Sequence, residues 1–295
     1  MKRNYVVWAL LGAALFTGCN TAEQAPPGKT AAPRSLEKLA NENDQAYSLS
    51  FPPDPELLIG PNRLVFALLD KEGAFVPGRK LNMYFARRAK DPAQGPVRVS
   101  FEEDGLGDRA FYRANVSFPD TGKWLLLVSE TVQGKKLGGG TSLEVTNKTD
   151  VVRVGEKALS VPTPTFADHL GLADICTSEP EEDPMHEISL DKALANGKPT
   201  MLVFATPKFC SSRVCGPVVD QVLRVRNAGY AEKANFVHVE VFQGDPAGPK
   251  TAAMEAYKLK TEPWTFVIDG GGVVRGRFEG PVTTGELKDS LDEVL

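Results

Sequence analysis

The hydrophobic pattern of this chain changes character once along its length, and that change limits the possible folds more than any single residue does. Between about 45 and 146 the apolar residues come in short runs split by Gly, Pro and Asp: RLVFALLD (63–70), KLNMYFAR (80–87), VRVSFEE (97–103), FYRANVSF (111–118), KWLLLVSE (123–130) and TSLEVTN (141–147). Runs of this length and spacing predict an all-β sandwich over 45–147. From Ser189 onward strand and helix periods alternate. A helix at 190–196 precedes a buried strand, PTMLVFAT (199–206), and Pro217 opens a helix with Val218, Val219, Val222 and Val225 on its apolar face. A strand at 235–242, a helix at 249–258, strands at 264–269 and 273–278 and a last helix behind a Thr283/Glu286 capping box complete an α/β pattern over 186–295. The segment between them, 148–185, carries Pro162, Pro164, Pro180 and Pro184 and the acids Glu179, Glu181, Glu182 and Asp183, and reads as a connector.

A length of 295 residues suits two such domains. The 34 Lys and Arg against 38 Asp and Glu leave a formal charge of −4 with no clustered basic run, which argues against a nucleic-acid partner. Four cysteines are too few for a disulfide scaffold, so each carries its own meaning.

Lys2 and Arg3 precede a 12-residue apolar run, Tyr5 to Phe16, and then Thr17, Gly18 and Cys19. This is signal-peptide anatomy over 1–18, with an apolar run too short for a permanent span. Leu15-Phe16-Thr17-Gly18-Cys19 resembles the lipobox of bacterial lipoproteins, which implies acylation of Cys19 and an extracytoplasmic, lipid-anchored protein. Phe16 departs from the Leu, Val or Ile usual at its place. Residues 19–44 are polar, contain Pro26, Pro27 and Pro33, and read as a flexible tether. Within the β-rich half, Phe111 to Phe118 followed by Gly122-Lys123-Trp124 resembles small extracytoplasmic sandwiches of the YtkA-like family, which implies an immunoglobulin-like fold. The triplets Gly138 to Gly140 and Gly270 to Gly272 read as turns.

Chemistry concentrates after the first strand of the second half, in Phe209-Cys210-Ser211-Ser212-Arg213-Val214-Cys215-Gly216-Pro217. Two thiols at a strand-to-helix turn sit at the positive end of a helix dipole, and Lys208 and Arg213 add positive charge, so a lowered thiol pKa is expected. The element order, the dithiol and Thr261-Glu262-Pro263-Trp264-Thr265-Phe266 are similar to the thioredoxin-like superfamily. That resemblance implies a cis Pro263 beside the dithiol, thiol–disulfide exchange at Cys210 and Cys215, and redox partners bearing thiols or disulfides, with no cofactor or metal. Two departures stand out. The spacing is C-x4-C, with Val218 where a C-G-P-C motif has its second Cys, so either Cys210 or Cys215 can be the nucleophile. Met201, Leu202 and Val203 also offer no buried acid in the strand before the dithiol.

Two alternatives remain open at this level. In one, a permanent Cys210–Cys215 bridge fixes the loop of a non-catalytic binding or scaffold protein. In the other, the dithiol holds copper, as in the SCO family of copper-assembly proteins, which has a C-x3-C spacing and a distant His. Of His169, His186 and His238, none falls just before Pro263, and His238 reads as an ordinary strand residue. Cys176, in the acidic connector, reads as a buried or unpaired thiol, with a bridge to another cysteine as the competing possibility.

Overall fold

The computed structural model describes residues 34–106, 109–179, 183–210, 213–243 and 248–295, so the expected signal segment, Cys19 and the tether up to residue 33 lie outside the described residues. Among the described residues, no helix is long and apolar enough to cross a membrane.

The first half forms two sheets around one core. Strands β2 (Ser48–Ser50), β3 (Gly60–Leu69), β7 (Phe111–Phe118) and β6 (Ser100–Glu102) make an antiparallel sheet in that order. The second sheet runs β1 (Asp44–Gln45), β9 (Lys135–Val145), β8 (Gly122–Val132), β4 (Asn82–Ala86) and β5 (Gln94–Arg98), with only β1 parallel to its neighbour. Period-2 alternation drives the packing: Leu64, Phe66 and Leu68 of β3 meet Met83, Phe85, Trp124, Leu126 and Val128 of the opposite sheet.

Two expectations are corrected here. Gly138 to Gly140 are not a turn but lie inside β9, and the hairpin turns at Gln133 and Gly134, both with positive φ as a primed two-residue turn requires. Gly138 and Gly139 are needed because the segment before β2 crosses closely: a Cβ on Gly138 would fall 3.1 Å from the Asn43 Cβ, and one on Gly139 would collide with the Tyr47 backbone. The tether expected over 19–44 is also structured at its end. Ser35 caps α1 (Leu36–Asn41) by accepting the Lys38 N–H, and Leu36 and Leu39, three apart on one face, pack against Ala86 and Leu127.

In the second half, β10 (Thr200–Phe204) lies at the centre of a sheet ordered β11 (Asn235–Val239), β10, β12 (Trp264–Ile268), β13 (Val274–Glu279). β11 runs parallel to β10, while β12 and β13 are antiparallel to their neighbours. Every residue of β10 is buried, since both faces of the sheet are covered. Leu202 and Phe204 pack with Leu190 of α2 (Leu190–Ala195) and Met254 of α4 (Ala252–Ala256) on one face. Met201 and Val203 pack on the other with Val219 and Val222 of α3 (Cys215–Val225) and Leu287 and Leu291 of α5 (Thr284–Asp292). This is a thioredoxin-like arrangement. The Thr283/Glu286 capping box is present, and the Glu262–Pro263 peptide is cis. The dithiol helix, expected to open at Pro217, begins two residues earlier at Cys215. Pro217 is tolerated there because the first N–H groups of a helix have no intrahelical partner. The segment from 148 is not loose: Val151 and Val152 enter the core of the second half, and the Tyr257 hydroxyl donates to the Leu159 carbonyl at 3.0 Å.

Candidate redox site

β10 delivers the chain to the dithiol. After Phe204 the backbone turns, with Phe209 N–H donating to the Thr206 carbonyl (3.2 Å) and Arg213 N–H to the Cys210 carbonyl (3.0 Å). Arg213 takes a left-handed φ of 59° as it closes this loop. Cys210 and Cys215 are disulfide-bonded, with Cα atoms 6.0 Å apart. Cys215 is the first residue of α3, where the N–H groups of the first turn have no intrahelical partner. The two sulfurs differ in access: Cys210 is 8% exposed and Cys215 fully buried.

The remaining candidates surround this turn. The Lys208 ammonium sits over the Phe209 ring, 5.8 Å from its centroid, and the Lys208 N–H donates to Thr177 Oγ1 at 3.3 Å. Lys208, Gly216 and Pro217 line a cleft of about 680 Å³ together with Thr177, Ser178 and Asp220. Pro263 is buried beside β12, and the residue before it supplies what sequence reasoning missed. A Glu262 carboxylate oxygen lies within 4.8 Å of both dithiol sulfurs, and Glu262 Oε2 accepts the Thr206 N–H at 2.6 Å. Burial pushes its carboxyl up to about 7, helped by the nearby Glu240 charge and opposed by the Thr206 N–H and by His238. The acid absent from β10 is thus provided, half-buried, from the other side of the dithiol. A lone carboxylate ahead of the apolar Pro263-Trp264-Thr265-Phe266 run is the one sequence signal that could have found it.

The other residue not foreseen is His238. Rather than an ordinary strand residue, it is a buried member of a polar group with Cys176, Asp183 and His186. Cys176 forms no disulfide, and its sulfur lies 3.3 Å from Asp183 Oδ2.

No family model and no curated protein matches the chain. Among solved structures, StoA from Bacillus subtilis is 20% identical, over 45% of this chain and 98% of its own, with a TM-score of 0.30. A thiol:disulfide interchange protein of the thioredoxin family from Chlorobium tepidum is 17% identical over 46% and 99%, with a TM-score of 0.29. The Lin-41 filamin domain is 11% identical over 35% and 95%, with a TM-score of 0.24. Likeness at these levels assigns neither substrate nor activity.

Proposed function

We propose that this chain is a thiol–disulfide oxidoreductase whose Cys210 and Cys215 cycle between bridge and dithiol. The observation that carries this reading is Glu262. A bridge that merely clamps a loop needs no ionisable carboxyl beside it, and burying one is unfavourable. A carboxyl held near 7 can take a proton from one thiol and return it to a leaving sulfur at neutral pH. In the reducing direction, one thiolate attacks a substrate disulfide and expels a substrate thiolate. The second cysteine then attacks the mixed disulfide, and the Cys210–Cys215 bridge re-forms with two electrons passed to the substrate. The greater exposure of Cys210 makes it the sulfur that meets the partner, and the cleft lined by Lys208, Gly216 and Pro217 offers room for a partner segment.

The burial of Cys215 supports a second reading, a structural clamp in a scaffold protein whose immunoglobulin-like sandwich engages the partner. Glutathione titration with mass-spectrometric mapping of the paired cysteines separates the two. A reversible Cys210–Cys215 bridge within the glutathione range is expected, whereas a potential below about −300 mV would establish the clamp. The pH dependence adds a second readout. As pH rises through about 7, Glu262 ionises beside the sulfurs and disfavours a neighbouring thiolate, so the exchange rate should flatten above that pH. Glu262→Gln should lose this inflection, and a variant profile superimposable on wild type would remove Glu262 from the reaction.

The anchoring proposed for the chain rests on the lipobox-like sequence at Cys19, which would place the redox site on the extracytoplasmic face of the cell membrane. Cys19→Ser should move the protein from the membrane fraction to the soluble one. Continued membrane association of that variant would defeat the anchor.

A further inference from the structure

Away from the dithiol, four side chains of metal-binding type converge where the segment before α2 lies on β11. They are Cys176, Asp183, His186 and His238, and one ligand atom from each lies within 4.8 Å of all the others. Asp183 is 3% exposed, and each histidine 1%. Asp183 Oδ2 sits at the hub, 3.3 Å from Cys176 Sγ, 3.8 Å from His186 Nε2 and 2.7 Å from His238 Nδ1.

One feature of this cluster is hard to reconcile with a purely protein network. Both ring nitrogens of His186 are buried with no hydrogen-bond partner, a state that native interiors avoid. His238, meanwhile, lies between two acceptors, Asp183 Oδ2 at its Nδ1 and the Ala205 carbonyl at its Nε2, 2.9 Å away. An imidazolium satisfies both, whereas a neutral imidazole has one N–H and satisfies only one of them. A cation at the centre would engage both histidines. The Nε2–H of His238 then donates to Ala205, which fixes the tautomer and turns the Nδ1 lone pair inward, the usual arrangement for a metal-bound histidine. His186 gains a partner for one nitrogen.

We propose that Cys176, Asp183, His186 and His238 form a structural zinc site. The donor set of two nitrogens, one oxygen and one sulfur suits tetrahedral Zn²⁺, and four protein ligands leave no open position for substrate. Charge also closes: one thiolate, one carboxylate and two neutral imidazoles balance the two positive charges in a buried place. On binding, the Cys176 S–H bond breaks, its proton leaves to solvent, and Zn–S, Zn–O and two Zn–N bonds form, with no change of oxidation state. Tetrahedral ligands at zinc distances stand about 3.3–3.8 Å apart, so the cluster needs shifts on the order of 1 Å, chiefly an opening of the Asp183–His238 contact. Asp183 is already oriented for this, since its Oδ1 accepts the Met185 N–H (3.0 Å) and its Oδ2 the Ser178 hydroxyl (2.8 Å). The cleft bordered by Thr177, Ser178 and Asp183 gives the ion a way in. The site would staple Cys176 and the turn at 183–186 to β11, one residue of backbone away from the Thr206 N–H that holds Glu262.

The test uses the full chain, oxidised and stripped with chelator, titrated with Co²⁺ as a spectroscopic probe and with Zn²⁺ against a chromophoric chelator. One equivalent of metal is expected, with a thiolate-to-cobalt charge-transfer band and a rise in Tm on adding Zn²⁺. The Cys210→Ser/Cys215→Ser double variant should keep the band, which separates this site from the dithiol. Cys176→Ser should lose it, and His186→Gln should bind Zn²⁺ more than 10-fold less tightly. Absence of both the band and the Tm shift in the wild-type chain would overturn the proposal whether or not the variants fold. So would a band that survives Cys176→Ser.

Discussion

Replacing either Cys210 or Cys215 with Ser is expected to reduce thiol–disulfide exchange by at least about 1000-fold, because the two sulfurs act as one unit and neither half-reaction closes without its partner. The two variants should fail differently. Cys215→Ser leaves Cys210, the sulfur with 8% exposure, able to attack but unable to be released, so a mixed disulfide with the substrate should accumulate. Cys210→Ser leaves only the buried Cys215 and should trap little. Both variants also lose a bridge closing a loop of five-residue separation, worth about 2 kcal/mol in the chain-entropy view. Denaturant unfolding beside an exchange assay and intact-mass analysis therefore separates the chemical loss from the structural one. Wild-type turnover in either variant would eliminate the dithiol mechanism, and trapping by Cys210→Ser alone would make Cys215 the attacking sulfur.

How much of this was legible in the sequence depends on the range over which each feature is determined. Local patterns carried the elements: FYRANVSF is β7 residue for residue, and Thr283 and Glu286 make the capping box their spacing implies. The dithiol turn was readable because strand, cysteines and helix are contiguous. Features set by distant segments were not. Gly138 to Gly140 look like a turn until the Tyr47 backbone is seen pressing on β9. Glu262 and the sulfurs are about fifty residues apart and meet only because β10 and β12 pair antiparallel, placing Trp264 beside Phe204. His238 acquires its partners because β11 lies beside β10 with the segment around Asp183 laid over it, a proximity that no local spacing encodes.

These long-range meetings also link the two polar centres. The Ala205 carbonyl receives His238, and the next residue, Thr206, gives its N–H to Glu262, so the backbone after β10 is held from both sides just before the dithiol loop begins. Thr206 Oγ1 further accepts the Val241 N–H at 2.8 Å. The loop carrying Cys210 is therefore anchored at its start by three independent contacts, a preorganisation that would hold its sulfur in place during the proposed exchange.

Arg63→Ala is expected to destabilise the folded chain by about 2–3 kcal/mol at neutral pH, a large effect for one surface-strand residue. Arg63 projects from β3 of the sandwich onto the second half and forks onto Glu286, with Nε–Oε1 at 2.6 Å and Nη2–Oε2 at 2.9 Å. Its Nη2 also donates to the Pro281 carbonyl at 2.7 Å, and its guanidinium lies 5.6 Å from the centroids of both Phe111 and Phe278. Truncation removes the fork and both ring contacts, and it leaves Glu286, only 14% exposed, with Arg113 at 3.2 Å as its remaining cation. Glu286 is also the capping-box acid of α5, so the loss reaches the helix that covers the dithiol's own core face. Arg63→Lys should recover little, because an ammonium cannot reproduce the two-pronged geometry. The pH dependence has a definite sign. Burial alone would raise the Glu286 carboxyl, but the Arg63 fork, with Arg113, brings it below the usual carboxylate range. A carboxyl lowered in the folded state gives stability that is present above its unfolded value and is lost as pH falls through the folded one. Urea unfolding of wild type and Arg63→Ala should thus differ most near neutrality, and the difference should narrow as pH falls through the folded Glu286 value. A difference under about 0.5 kcal/mol at pH 7, or one that widens on acidification, would show that this latch does not join the two halves.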